Sequence, residues 1–124
     1  MDKVQHTVAE LNSFRRQAVE SGMSETEIDD LIMLLSINPM AGDEIAGTGG
    51  CRKVRVAGRG KGKSGGYRTI TFYSGTQMPV FLLAVFSKGD KANLSKGERE
   101  ALKGLTKLLV EQYQGRVVEA RVKA

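Results

Sequence analysis

The sequence predicts an α+β fold in which two N-terminal helices precede a mostly antiparallel sheet and a C-terminal helix closes the chain. Three observations lead there. Apolar residues recur at helical spacing up to Leu35 and again from Ala101, whereas Cys51 to Phe86 carries the alternation and unbroken apolar runs of strands. Two Ser-x-x-Glu boxes, Ser24 to Glu27 and Ser95 to Glu98, mark helix starts. Asn38-Pro39 and clusters of glycine separate the segments. With 124 residues, no internal repeat and no long linker, the chain is expected to form one domain, 1–124.

Val4, Val8, Leu11, Phe14 and Ala18 suggest a first helix over roughly residues 5–20, interrupted by Gly22. In the second helix the Ser24 hydroxyl can accept from the backbone N–H three residues on while Glu27 reaches back. Ile28, Leu31, Ile32 and Leu35 form its apolar face, and Asn38 before Pro39 ends it, because the residue preceding proline is pushed out of helical geometry. Ala41 to Gly50 reads as a turn or short edge strand. Val54 and Val56 then alternate with Lys53 and Arg55, as in a half-buried strand. Gly58 to Gly66 has five glycines in nine residues and is expected to be a loop. Tyr67 to Tyr73 is rich in β-branched and aromatic residues, a second strand. Val80 to Phe86 is apolar on both faces, so it belongs inside the sheet with both sides covered. Ala101, Leu102, Leu105, Leu108 and Leu109 supply the apolar face of the last helix, which Gly115 should stop or bend. Val118, Ala120 and Val122 alternate like a short strand.

Composition narrows the function. A 40% hydrophobic, 27% charged chain is ordinary for a globular protein, which argues against disorder. Its longest apolar run, Pro79 to Phe86, is strand-sized and far below the ~18 residues of a membrane span. Met1-Asp2-Lys3 opens no signal-peptide core, and the single cysteine, Cys51, cannot form an intrachain disulfide; a cytoplasmic location is expected.

The net charge of +5 is localised. Between Ile45 and Gly89 there is no Asp or Glu, while Arg52, Lys53, Arg55, Arg59, Lys61, Lys63, Arg68 and Lys88 all fall there. A one-sided positive field attracts polyanions, of which phosphate backbones are the commonest. Ala57 to Ser64 comes close to a phosphate-binding P-loop, and Gly60 to Gly65 formally matches GxGxxG. Both motifs need a following helix whose N-terminus faces the phosphates, and here Gly65-Gly66 and a strand follow. Nucleotide hydrolysis and dinucleotide binding are therefore rejected. His6, the only histidine, is remote from the basic segment and reads as a helix-surface residue, and Cys51 reads as strand filler. No histidine-based nucleophile and no metal cluster is expected, nor any cofactor.

Lys53 and Arg55, two apart on a strand, project from one face with Val54 and Val56 turned inward. Arg68 begins the next strand and Lys88 follows the apolar one, so neighbouring strands would gather four cations at one end of a sheet. Arg68 shares strand parity with Ile70 and Phe72, whose character is that of core residues. Arginine forks match phosphate oxygens, and a lysine can carry a proton, so metal-free RNA cleavage through 2′-hydroxyl attack is chemically open to such a cluster.

Cys51-Arg52-Lys53-Val54-Arg55-Val56, Gly66-Tyr67-Arg68 opening an aromatic strand, and an apolar strand ending Phe86-Ser87-Lys88 together resemble the RelE/ParE toxin superfamily. The glycine-rich Gly42 to Gly50 and the loop Gly58 to Lys63 resemble its HigB-like branch, and the similarity runs from about Glu25 to Tyr113. The resemblance implies a RelE-like fold and a type II toxin–antitoxin toxin that cleaves mRNA at the ribosomal A site, without a metal, and inhibits translation. It implies as partners a cognate antitoxin, the ribosome and mRNA, with operator DNA reached only through the antitoxin. Carried over by position, Arg68 and Lys88 would serve the scissile phosphate or leaving oxygen. Lys53 or Arg55 would stabilise charge or assist deprotonation, and Arg52, Arg59, Lys61 and Lys63 would hold the RNA backbone. Leu94 stands where some members carry a catalytic tyrosine. Two other readings use the same residues: a ParE-like gyrase inhibitor, and a noncatalytic RNA- or DNA-binding module.

Overall fold

The computed structural model describes residues 6–58, 62–75, 77–87 and 94–123. Its elements run β1 (Val8–Glu10), α1 (Asn12–Glu20), α2 (Glu25–Ile37), β2 (Asp43–Glu44), β3 (Cys51–Gly58), β4 (Gly62–Phe72), β5 (Val80–Ser87) and α3 (Lys96–Lys123). The strands form one five-stranded sheet in the order β1-β5-β4-β3-β2. Its pairings are antiparallel except β1 with β5, which are parallel. This is the expected α+β architecture, with one strand the sequence did not announce.

Val8 to Glu10 was expected to be helical and is instead an edge strand. Val8, Ala9 and Glu10 register with Val80, Phe81 and Leu82 of β5. An unpaired edge on β5 would leave its backbone donors and acceptors to water, and pairing with the N-terminal segment satisfies them. Tertiary demand of this kind overrides a local helical pattern. His6 is correspondingly not on a helix surface. Its amide donates to the Ser36 carbonyl at 2.7 Å and its Nε2 lies 2.8 Å from the Met78 carbonyl, with the ring edge-on to Tyr73 at 5.0 Å. Arg15 in α1 reaches back to Glu10 through two 2.8 Å hydrogen bonds, and these hold the Glu10 carboxyl below its ordinary pKa.

The second helix forms as its capping box dictates. The Glu27 amide donates to Ser24 Oγ at 3.1 Å and the Ser24 amide donates to Glu27 Oε1 at 2.8 Å. α2 ends at Ile37, before Asn38-Pro39. Phe14 and Ala18 of α1 and Ile28, Leu31 and Leu35 of α2 are buried against Val54, Tyr67, Val80, Leu82 and Val85 on one side of the sheet. On the other side Cys51, Ile70, Phe72, Phe81 and Leu83 are buried, and Leu102, Leu105 and Leu109 of α3 pack over them. Fully burying each such Leu, Ile or Phe contributes about 1.5–3 kcal/mol. β5 is therefore covered on both faces, as its composition required.

A bulge makes this possible. Ile70 registers with Ala84 but Thr71 with Leu82, so Leu83 is the extra residue of β5. Val80, Leu82 and Val85 thereby join the α1/α2 cluster, while Phe81, Leu83, Ala84 and Phe86 turn to the α3 side.

Two expected boundaries move. The strand after the glycine segment starts at Gly62 rather than Tyr67, with Gly58 opposite Gly62. Glycine lacks strand propensity but accepts extended geometry, and the hairpin ladder holds it there. A Cβ on Gly66 would collide with the Val56 carbonyl oxygen, so only glycine permits this approach of β4 to β3. At the other end, helix continues through Gly115 to Lys123, and no tail strand forms. One glycine costs a helix interior only about 1 kcal/mol, and β1 and β2 already occupy both sheet edges. Ala101 and Leu108, expected on the buried face of α3, are exposed, and Thr106 takes part in it instead.

Tyr67 ties the two layers together by donating to the Gly22 carbonyl at 2.8 Å from a buried position. Burial, helped by the charge of Glu27, raises its pKa, so the neutral phenol is the form that folding favours. Tyr67→Phe is expected to lower the unfolding free energy by about 1 kcal/mol, read from the urea midpoint. In the unaltered protein the stability due to the neutral phenol is complete below about pH 10 and is lost as pH rises further, which the same titration at alkaline pH checks.

Candidate functional site

The alternation of β3 and its register with β4 build the site. Val54 and Val56 turn to the α1/α2 side, which sends Lys53 and Arg55 to the α3 side. Across the strand pair Arg55 faces Arg68 and Lys53 faces Ile70, and on β5 Phe86 faces Arg68. Arg55, Arg68 and Phe86 thus form one row across three strands, beside a row of Lys53, Ile70 and Ala84.

The parity conflict at Arg68 resolves through coverage. Arg68, Ile70 and Phe72 do share a face, but α3 covers only part of it. Ile70 and Phe72 are each 2% exposed, whereas Arg68 is half-buried. At the uncovered end lies a cavity of about 310 Å³. Lys53, Arg68 and Arg99 bring cations to it, Asp43 and Glu44 carboxylates, and Ile70 and Phe86 apolar wall. Arg55 is exposed outside this lining.

Local structure places each contributor. Asp43 registers opposite Lys53 in the two-residue β2. Gly42, at φ +94°, makes the turn into β2, where a Cβ would meet the Lys53 carbonyl oxygen. The Thr48 hydroxyl donates to the Ile45 carbonyl at 2.6 Å and accepts from the Cys51 amide at 3.1 Å, closing the β2–β3 turn. Thr106 of α3 donates to the Thr48 carbonyl at 3.3 Å, which ties the helix to that turn. A second capping box starts α3: the Ser95 amide donates to Glu98 Oε1 at 2.8 Å and the Glu98 amide to Ser95 Oγ at 3.1 Å. Arg99 follows at once, its guanidinium donating twice to the Leu94 carbonyl at 3.3 Å.

Of the residues singled out from the sequence, Lys53, Arg55 and Arg68 share one face at one end of the sheet. Arg52 is apart from them. It has the parity of Val54, and its guanidinium donates to the Met40 and Gly42 carbonyls at 3.1 and 3.2 Å, clamping the turn before β2. Lys63 belongs to β4 rather than to a loop. Arg59, Lys61 and Lys88 lie outside the described residues. Three charged lining residues escaped the sequence reading, Arg99, Asp43 and Glu44. The position of Arg99 in the first turn after a capping box was the available signal for the first of them. Leu94 lines the cavity, and none of the three tyrosines does. Tyr67 is buried on the opposite face, Tyr73 stacks edge-on with His6, and Tyr113 packs edge-on against Phe81 at 6.0 Å.

Ser64 continues into strand, so the P-loop likeness has no helix behind it. Cys51 is fully buried, and burial pushes its thiol up to about 11. Among the described residues no three His, Cys, Asp or Glu side chains are grouped to hold a metal, and no helix is long and apolar enough to cross a membrane. What the arrangement can do is bind phosphate oxygens through guanidinium forks and move a proton through one amine.

A family model described as the RelE toxin of the RelE/RelB toxin–antitoxin system matches residues 11–122. The match takes in every element from α1 to α3.

Because its thiol is buried and held protonated, Cys51 should resist iodoacetamide at pH 8 in the folded protein and react fully in urea. Mass spectrometry after a timed quench reads the difference; rapid labelling of native protein would show that the β3 end is open.

Proposed function

The chain belongs to the RelE toxin family, the toxins of toxin–antitoxin systems, and from that premise we propose that it is a ribosome-dependent mRNA endonuclease, neutralised by a cognate antitoxin. The observation that carries this reading is the gathering of Lys53, Arg55 and Arg68 on one face at one end of the sheet, with Arg99 brought in from α3. Guanidinium forks and an amine so grouped match the oxygens of a phosphate backbone.

In the proposed reaction the RNA 2′-oxygen attacks the adjacent phosphorus, the bond to the 5′-oxygen breaks, and a 2′,3′-cyclic phosphate forms. Guanidiniums keep their protons, so Arg68 and Arg55 serve as donors to the phosphate oxygens as charge builds on them. Lys53 is the proton carrier among the three, assigned to the 2′-hydroxyl proton. Lys88 is assigned to the leaving oxygen by family position alone. Asp43, opposite Lys53, is suited to orient the amine. Arg59, Lys61 and Lys63 are assigned to the RNA backbone from their sequence positions alone.

Arg68→Ala is expected to lower cleavage of a translated message by about 10²–10³, the scale of losing one preorganised donor, while ribosome cosedimentation falls far less. Primer extension and sedimentation on the same samples check this. Equal loss of both would make the cluster an adhesive surface and not a nuclease. Asp43→Asn is expected to lower cleavage while leaving ribosome binding intact, read on the same samples.

A further inference from the structure

Beside the cationic cavity lies a second cleft of about 220 Å³ with a different lining. Ile70, Phe86 and Leu94 are common walls of both spaces. Beyond them the second cleft is bounded by Ala84 of β5 and by Ala101, Leu102 and Leu105 of α3, with Glu98 the only charged residue of its lining among the described residues. The cleft opens to the surface between α3 and the sheet. The bulge at Leu83 turns Ala84 toward α3, and exposed Ala101 stands on the helix side, so two small side chains line it.

Resting on the RNA reading above, we infer that this cleft receives one unstacked nucleobase of the strand whose phosphate occupies the cationic cavity. The shared wall carries the argument. A ligand that spans both spaces would present a phosphate-like anion to Lys53, Arg68 and Arg99 and, a few bonds away, a flat group to Phe86, Leu94 and Leu102. A nucleotide has that chemistry, and single-stranded RNA is recognised through bases splayed from the stack onto apolar side chains. A site of mainly apolar lining next to a few convergent charges is also the ordinary form of a small-ligand pocket. The cleft would make the identity of that base, and not only its phosphate, contribute to where the message is cut.

The test uses ribosomes programmed with messages carrying 2-aminopurine at each position of the exposed codon in turn, with 2′-deoxy sugars so that the strand stays whole. The unaltered protein is expected to change the fluorescence at one position. Ala101→Leu fills the cleft from an exposed helical site and keeps helix propensity; Ala84→Leu fills it from the sheet. Each should reduce that change at least fivefold while ribosome binding stays within about threefold. On an ordinary message both variants should lose cuts that require a purine more than cuts that require a pyrimidine. Equal fluorescence in folded variants and unaltered protein would overturn the proposal, as would no response at any position. Loss of antitoxin neutralisation with cutting unchanged would also overturn it, since the occupant would then be a protein side chain. If the unaltered protein never cuts the message but the fluorescence response appears and is lost in Ala101→Leu, the base site stands and the nuclease reading falls.

Discussion

Arg55 opposite Arg68 is the pairing on which the site depends. Like charges facing each other across antiparallel strands oppose sheet formation by up to about 1 kcal/mol. Register keeps them there regardless. Val54 faces Thr69, whose hydroxyl donates to the Val54 carbonyl at 2.9 Å, and Val56 faces Tyr67, which is anchored on Gly22. A slip by one residue would exchange the two faces of β3, driving arginines into the α1/α2 core and valines out of it. The apolar face therefore enforces a charged face that would not assemble by itself.

The α3 side of the sheet meets two demands along the same strands. Cys51, Phe72 and Phe81 need cover, and α3 supplies it through Leu102, Leu105 and Leu109. Lys53 and Arg68 instead line the cavity, with Arg99 from the first turn of α3, and Arg55 is exposed beside it. The Thr48–Thr106 hydrogen bond ties α3 to the β2–β3 turn, and the second capping box starts the helix beside the cavity. Strand residues of identical parity accordingly become core at one end and site at the other.

For the proposed reaction, preorganisation is the chemical gain. Cations mounted on a paired sheet would not have to rearrange as phosphate charge develops, so their attraction would be available at the moment of reaction. Asp43 is placed by a two-residue strand and a glycine turn, and Arg99 by the first turn of a helix. The cavity is thus assembled from four strands and a helix, and its geometry depends on long-range packing more than on any local motif.

Much of this was legible in the chain itself. Periodicity and capping boxes determined α2, β3, β5 and the start of α3, because those signals depend on residues only a few positions apart. The face shared by Lys53 and Arg55 followed from strand parity, and the absence of a P-loop from the missing helix after Ser64. Only the tertiary structure decided that Val8 to Glu10 is a strand, since its partner lies some seventy residues away. It alone decided that Arg68 is accessible while Ile70 is not, that Arg52 serves the Gly42 turn, and that Asp43 and Arg99 join the cavity. Each of those outcomes turns on which element covers which part of the sheet, a relation between distant segments that local sequence does not encode.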